Sequence, residues 1–225
     1  MTIRVTRKPR DAYQHGNLRE ALIQAGLRLL AEGGVENLSL RAAAQLAGVS
    51  HAAPYRHFRD KEALVAAVAE RGFTLLDSAM REELARCASS DTRDRVVALG
   101  VGYLAFATRH PAYLQVIFSG ALSRRHVPAE LTAAGDAAYR TLRDTVAAGI
   151  ARGELRAGDP ERVSLACWSL VHGLATLLIN SAIPSPSTPA AQRELVIGIV
   201  RLLNEGIGRG TPPGLSPPAV AGALP

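Results

Sequence analysis

Cysteine is scarce in this sequence, and its distribution excludes a disulfide-stapled fold. The chain has 225 residues and only two cysteines, Cys87 and Cys167, which lie far apart and form no Cys-x-x-Cys pair. This usage is typical of a reducing compartment, so we expect a cytoplasmic location. The N-terminus is basic but no apolar run follows it, and no secretory signal is predicted. We expect two inert thiols, with a redox pair as the alternative if the fold brings them together.

Catalytic and metal-binding patterns are missing as well. The six histidines show no His-x-x-x-His or Cys/His ligand spacing, and no Gly-x-Ser-x-Gly nucleophile motif occurs. Gly100, Gly102 and Ala105 match the dinucleotide-binding pattern Gly-x-Gly-x-x-Ala, which should follow a strand. Here the match lies inside a helical pattern. The sequence therefore predicts no enzyme, no cofactor and no metal site.

Strand patterns are also rare. Valine almost never alternates with polar residues, and alanine and leucine, which are strong helix formers, supply most of the 48 % apolar content. Aromatic residues make up only 4 % of the chain. Capping residues, glycine stops and prolines at first helical positions mark about nine helices. The predicted fold class is all-α, and the helix-starting prolines are Pro111, Pro128, Pro160 and Pro189.

One uncharged stretch is long enough to mimic a membrane span. No Asp, Glu, Lys or Arg occurs between Arg162 and Arg193. Polar residues such as Ser169 and Asn180 interrupt this stretch, and prolines end it. We interpret it as a helix buried by protein and expect no membrane partner.

Positive charge is concentrated near the N-terminus. Residues 1–62 contain ten Lys and Arg against six Asp and Glu, and the whole chain carries a formal charge of +6. This excess favours an anionic partner for the N-terminal part of the chain. Many solvated surfaces are as basic, so charge alone does not identify that partner.

A short motif at 47–50 predicts a turn between two helices. Gly48 can adopt the positive φ that ends the first helix. Val49 would fill the angle between the two helices, and Ser50 is expected to cap the second helix. Two short helices joined in this way form a helix-turn-helix, whose second helix enters the DNA major groove by its N-terminal end. An alanine-rich helix pair occurs in any bundle, so spacing alone leaves both interpretations open.

The residues around this turn resemble the signature of the tetracycline-repressor (TetR) family. Ala47-Gly48-Val49-Ser50 is followed by Tyr55, His57-Phe58, Lys61-Glu62 and Leu64, and the upstream "YQHGNLREAL" and Gly33-Gly34 fit the family's first helix. The resemblance implies an all-helical homodimer that binds a palindromic double-stranded operator through three N-terminal helices. It places Tyr55, His57 and Lys61 at phosphate-contacting positions. Arg41, His51, Ala52 and Arg56 fall where operator contacts vary, and Ser50, at the start of the recognition helix, is the eighth candidate DNA contact.

One departure from the family pattern is Pro54, inside the predicted recognition helix. Its missing N–H removes a first-turn hydrogen bond, and its ring faces the Ser50 carbonyl. We expect this helix to start one or two residues late. Phe58 is expected to anchor the segment in the core.

The C-terminal part carries a weaker signature. Trp168 and His172 lie four residues apart on one helix face, within "WSLVHG", which resembles a Trp-x-x-x-His-Gly signature of one TetR subgroup. They either pack in the core or line a pocket for a small-molecule effector. The candidate pocket residues are Phe73, Tyr103, Phe106, Tyr113, Phe118, Tyr139, Trp168 and His172.

These patterns predict four segments. They are a flexible basic arm at 1–16, a helix-turn-helix domain at 17–62, a helical regulatory and dimerisation domain at 63–209, and a disordered tail at 210–225. The last two helices, within about 159–207, are apolar on more than one face, which predicts a homodimer interface. The leading hypothesis is a ligand-responsive transcriptional repressor, which a small, largely apolar effector releases from DNA. The alternative is a helical DNA-binding interaction protein without an effector.

Overall fold

The structure, a computed structural model, describes residues 18–118, 127–156, 158–186 and 188–205. Within these ranges it contains eight α-helices, one turn of 3₁₀ helix at Pro54–Arg56 and no strand, which confirms the all-α prediction. The predicted arm and the predicted tail lie outside the described residues. The α-helices are α1 (Leu18–Asn37), α2 (Leu40–Leu46), α3 (Lys61–Arg86), α4 (Thr92–Arg109), α5 (Pro111–Phe118), α6 (Ala129–Ala151), α7 (Pro160–Ile179) and α8 (Pro189–Glu205).

Local signals place the N-terminal helices. Gly33 and Gly34 interrupt α1, and Gly34 has a φ of +67° that favours glycine. The Ser39 hydroxyl accepts from the Ala42 N–H at 3.0 Å and caps α2. Gly48, with a φ of +70°, donates to the Gln45 carbonyl at 3.1 Å and ends that helix as predicted.

The predicted recognition helix is not an α-helix in this structure. The Ala53 N–H donates to the Ser50 carbonyl at 3.0 Å, and the Phe58 N–H donates to the Pro54 carbonyl at 2.9 Å. Between these bonds lies only the 3₁₀ turn at Pro54–Arg56. Pro54 has no N–H to donate to Ser50, and its buried ring fixes the turn. The prediction that Ser50 caps a recognition helix, delayed by one or two residues, is therefore wrong.

The long helix α3 connects the N-terminal unit (α1, α2 and the turn at Pro54–Arg56) to the C-terminal bundle of α4 to α8. Asp60 caps it by accepting from the Ala63 N–H at 2.8 Å, and α3 packs against α1, α4, α5 and α6. Prolines mark the later helix starts as predicted. Pro111, Pro160 and Pro189 begin α5, α7 and α8, and Pro128 precedes α6.

Helix α7 is apolar but only partly covered. By length and composition alone it could cross a membrane, yet only 28 % of its apolar window is buried within the chain. The chain itself covers only part of this helix, so its expected burial by protein stays a prediction. Leu165, on its outer side, is 58 % exposed. An apolar helix face is thus left without a partner among the described residues.

Candidate functional site

The eight residues predicted to contact DNA lie between α2 and the start of α3 in the chain. Lys61, the first residue of α3, is partly exposed, and the other seven are exposed. Tyr55 is 56 % exposed. Such side chains can reach phosphates and base edges without repacking the core. The exposed seven are Arg41, Ser50, His51, Ala52, Tyr55, Arg56 and His57.

Two buried residues hold this segment in place. Phe58 is only 3 % exposed, as predicted for a core anchor. Pro54, four residues earlier in the chain, is also buried. The Arg19 guanidinium of α1 lies 5.7 Å from the centre of the Phe58 ring. The Val49 N–H donates to the Ala44 carbonyl at 3.0 Å, which fixes the turn after α2. The exposed residues therefore project from a segment that is anchored at both ends.

Six of the eight candidate pocket residues form one aromatic cluster around Trp168. The Trp168 ring centre lies 5.6 Å from Tyr103, 5.5 Å from Tyr139 and 6.1 Å from Phe118. Phe118 in turn contacts His172 at 4.4 Å and Phe73 at 6.2 Å. Helices α3, α4, α5, α6 and α7 thus each contribute at least one ring to the cluster.

A hydrogen bond lies at the centre of this cluster. The Tyr103 hydroxyl is 2.8 Å from His172 Nδ1, and the Tyr103 side chain is 1 % exposed. Burial raises the pKa of Tyr103 and lowers the pKa of His172. Both groups are therefore neutral at neutral pH. The cluster combines an apolar enclosure with one polar pair, as small-molecule sites commonly do.

A cavity of about 20 Å³ adjoins Tyr103 and Trp168. It has room for a single water molecule. Cys167 borders it, and burial raises the pKa of this thiol to about 11, so that it is protonated and unreactive at neutral pH. Sequence reasoning missed the aliphatic walls, because leucine and valine at helical spacing do not distinguish a cavity from a filled core. The full lining is Met80, Val96, Leu99, Gly100, Tyr103, Leu142, Cys167, Trp168, Val171 and Val200.

Phe106 and Tyr113 lie in a second aromatic group rather than around Trp168. The His110 ring centre is 5.8 Å from Phe106 and 6.1 Å from Tyr113. The Tyr113 hydroxyl accepts a hydrogen bond from Gln24 of α1 at 3.0 Å. This group therefore sits where the N-terminal unit meets α5. The spacing in the sequence could not separate the two groups.

The family of the chain follows from both parts of this architecture. The model for "Bacterial regulatory proteins, tetR family" matches residues 22–68, and that for "Tetracyclin repressor-like, C-terminal domain" matches residues 96–202. The first match contains the exposed surface, and the second contains Trp168 and His172. The chain belongs to the TetR family. The family and its named relatives are transcriptional regulators, in agreement with the prediction that the chain is not an enzyme.

Individual relatives agree with this placement. The HTH-type transcriptional regulator Rv1816 of Mycobacterium tuberculosis is 26 % identical over 153 residues, which are 68 % of this chain and 64 % of that protein. The chain thus spans less than two thirds of this relative. A Rhodococcus protein of unknown function is 32 % identical, with a TM-score of 0.70 over 85 % of this chain and 97 % of that one. The regulator FadR of Bacillus subtilis, solved with stearoyl-CoA, shares the fold at 17 % identity and a TM-score of 0.67, over 84 % and 99 % of the two chains.

Proposed function

We propose that this protein is a cytoplasmic transcriptional repressor that binds a palindromic operator as a dimer and is released by a small, largely apolar effector. The single observation that carries DNA binding is that the candidate side chains between Arg41 and Lys61 are exposed or partly exposed. They include arginines, histidines, a tyrosine and a lysine on an anchored segment. Tyr55, His57 and Lys61 would hold phosphates, and Arg41, His51 and Arg56 would reach base edges.

Dimerisation is proposed through the outer faces of α7 and α8. Leu165 and Leu177 of α7 are 58 % and 46 % exposed, and Leu202 and Leu203 of α8 are 54 % and 39 % exposed. Two copies of this helix pair would bury these side chains in a four-helix interface. A two-fold dimer would also set two DNA-binding surfaces about 34–36 Å apart, as a palindromic operator requires.

The effector is proposed to bind in the aromatic cluster around Trp168. Phe73 belongs to α3, whose first residue is Lys61 of the DNA-binding surface, and Phe118 belongs to α5, whose Tyr113 is bonded to α1. A ligand that displaces these rings would tilt α3 and α5 and change the spacing of the two DNA-binding surfaces. It can shift the equilibrium only by its differential affinity for the two arrangements, typically about 1–3 kcal/mol.

One observation favours the second candidate, a DNA-binding protein without an effector. The cavity beside Trp168 measures only about 20 Å³, so a ligand must displace side chains to enter. Thermodynamic coupling discriminates the two candidates. If a ligand weakens operator binding, then the operator must weaken binding of that ligand by the same factor. Equal ligand affinities with and without operator would favour the second candidate.

We expect in vitro selection from random duplex DNA to enrich an inverted repeat, because a two-fold dimer reads two half-sites. The logarithm of its binding constant should then fall linearly with the logarithm of salt concentration, by about 0.9 for each phosphate contacted. Lys61→Ala should weaken binding to all sequences about equally and lower the magnitude of this slope by about 0.9, the value for one phosphate contact. Arg140→Ala, which removes an exposed cation of α6, is the matched control and should leave the slope unchanged. No enrichment, or an affinity independent of salt, would contradict the proposed DNA binding.

A further inference from the structure

The hydrogen bond between Tyr103 and His172 fixes which nitrogen of the imidazole carries the proton. The Tyr103 hydroxyl is buried, and among the described residues its hydrogen-bond partner is His172 Nδ1 at 2.8 Å. If Nδ1–H were the donor, the phenolic proton would be left in the interior without an acceptor, which is costly. Tyr103 therefore donates to Nδ1. A neutral imidazole with an accepting Nδ1 carries its proton on Nε2.

The resulting Nε2–H is a donor for which the described part of the chain provides no acceptor. No other described residue is hydrogen-bonded to His172, and its side chain is partly buried. Nε2–H is thus a fixed donor on an imidazole whose ring centre lies 4.4 Å from that of Phe118. A partly exposed site with an oriented donor favours a ligand that carries an acceptor.

Phe118 covers this imidazole in a way that makes its ring displaceable. The ring lies 4.4 Å from His172 and 6.1 Å from Trp168, but 40 % of the residue is exposed. It is the last residue of the short helix α5, so a rotation of its side chain disturbs little of the core. An apolar ligand group of similar size could take its place against Trp168.

Among the described residues, the charges near the cluster do not favour an anionic ligand. The cavity beside Trp168 is lined by no Lys or Arg. On the other side of Trp168, the Tyr139 hydroxyl donates to Glu161 at 3.1 Å, and Arg143 lies 3.7 Å from the same carboxylate. The arginine next to the cluster is therefore already neutralised. Among the described residues around the cluster, a carboxylate ligand would find no free cation, whereas a carbonyl oxygen requires none.

We propose that the effector is a compact, neutral carbonyl compound, whose oxygen accepts from His172 Nε2–H and whose apolar part replaces the Phe118 ring against Trp168. This inference rests on the proposed effector site and adds the chemical class of its ligand. Tyr103 is a positioning residue, because it acts on the ligand only through the tautomer of His172.

The test compares two probes of similar size, para-fluoroacetophenone and para-fluoroethylbenzene, of which only the first has a carbonyl oxygen. Fluorine NMR titration of the full chain should show the ketone binding roughly ten-fold more tightly, which corresponds to about 1.4 kcal/mol for one hydrogen bond. Trp168, the only tryptophan of the chain, reports the same event by its emission.

Three variants separate hydrogen bonding from packing. His172→Phe should bring the two affinities to parity and leave the hydrocarbon affinity within about two-fold, because the apolar contacts remain. His172→Gln retains an N–H donor and should restore part of the preference for the ketone. Phe118→Ala should strengthen binding of both probes, because the competing ring is gone. Circular dichroism checks that each variant is folded.

Several outcomes would overturn the inference: equal affinities in the wild type, a ketone preference that survives His172→Phe, or no binding even to Phe118→Ala. None of these measurements contains DNA, so failure here is distinct from failure of the proposed function. If a ketone binds but leaves operator affinity unchanged, the proposed release from DNA is contradicted and the proposed class of ligand is supported. If only ligands without an acceptor release the operator, the proposed release is supported and the proposed class of ligand is contradicted.

Discussion

Glu154 joins the end of α6 to the start of α4 through side-chain hydrogen bonds. Its Oε2 accepts from the N–H and the hydroxyl of Thr92 at 2.9 and 2.6 Å, and its Oε1 accepts from Arg152 at 2.8 Å. Thr92 is fully buried. The bonds from Arg152, and next those from Thr92, lower the pKa of Glu154 to about 2. The ionised carboxylate is therefore favoured by the folded state.

This shift predicts an acid-sensitive contribution to stability. A carboxylate with a depressed pKa in the folded state stabilises the fold above its ordinary pKa, and the contribution is lost as pH falls towards the folded-state value. Wild type should exceed Glu154→Gln in urea midpoint at pH 7, and the gap should close between about pH 4.5 and 2. Glu130→Gln, an exposed carboxylate in the first turn of α6, is the control. A gap that does not change with pH would contradict the assignment.

At the residue scale, the sequence predicts contacts that are close along the chain. The cap of Ser39, the positive φ of Gly48 and the burial of Phe58 depend on neighbours within a few positions. The bonds between Thr92 and Glu154 and between Gln24 and Tyr113 join residues 62 and 89 positions apart. Such pairs depend on how helices pack, which no local spacing encodes.

At the scale of elements, two glycines of α4 determine how closely other helices approach it. A Cβ on Gly102 would lie 2.6 Å from the Ala79 carbonyl oxygen and from the Met80 Cα of α3. A Cβ on Gly100 would lie 3.2 Å from Val196 of α8. These glycines match a dinucleotide-binding pattern only by chance, as predicted. Their physical role is close helix packing.

Gly102→Ala should destabilise the fold by about 1–3 kcal/mol, because the atoms in the way belong to backbone and cannot rotate aside. Gly135→Ala in α6 is the matched control. Its Cβ would meet the Phe73 ring at an ordinary contact distance of 3.7 Å. There the better helix propensity of alanine should be neutral or stabilising by up to about 1 kcal/mol. Urea denaturation measures both, and equal effects would contradict the packing argument.

The helix starts were predictable and the recognition segment was not. Prolines and capping residues act within one turn, so Pro111, Pro160 and Pro189 mark α5, α7 and α8 correctly. The segment after Ser50 depends on Pro54, whose missing N–H favours a non-α conformation and whose buried ring packs into the tertiary structure. The sequence showed that Pro54 is unfavourable inside an α-helix, but it did not show that a 3₁₀ turn would replace the helix.

At the scale of the whole molecule, the candidate ligand site was only partly predictable. The sequence named the few aromatic residues of the helical C-terminal domain as pocket candidates. Six of the eight candidates contact one another in a single cluster. Of the other two, Tyr113 lies at the junction with α1, because α5 turns Tyr113 towards Gln24 and Phe118 towards Trp168. Phe106 of α4 is linked to Tyr113 through the ring of His110. The path of α5 across the bundle decides this division, and its eight residues do not encode it.

The exposed leucines of α7 and α8 predict that operator affinity depends on dimerisation through these helices. Leu165→Glu combined with Leu202→Glu would place charges on both apolar faces, where a dimer must desolvate them. Sedimentation should show wild type at twice the 23.8 kDa of one chain and the double variant at one. Loss of the linked second half-site should weaken operator binding by about 100-fold or more. Helical content should be unchanged, because both leucines are already solvated in the single chain.

Val127→Glu is the control for added charge, since Val127 is 47 % exposed and precedes α6 rather than lying on α7 or α8. It should remain dimeric and bind the operator with wild-type affinity, because it buries nothing against a second copy. If the double variant stays dimeric, the interface lies elsewhere. If it becomes monomeric and keeps full affinity, each chain reads its site alone, and a change in the spacing between two DNA-binding surfaces could not release the protein. Dimerisation and effector response would then be physically uncoupled.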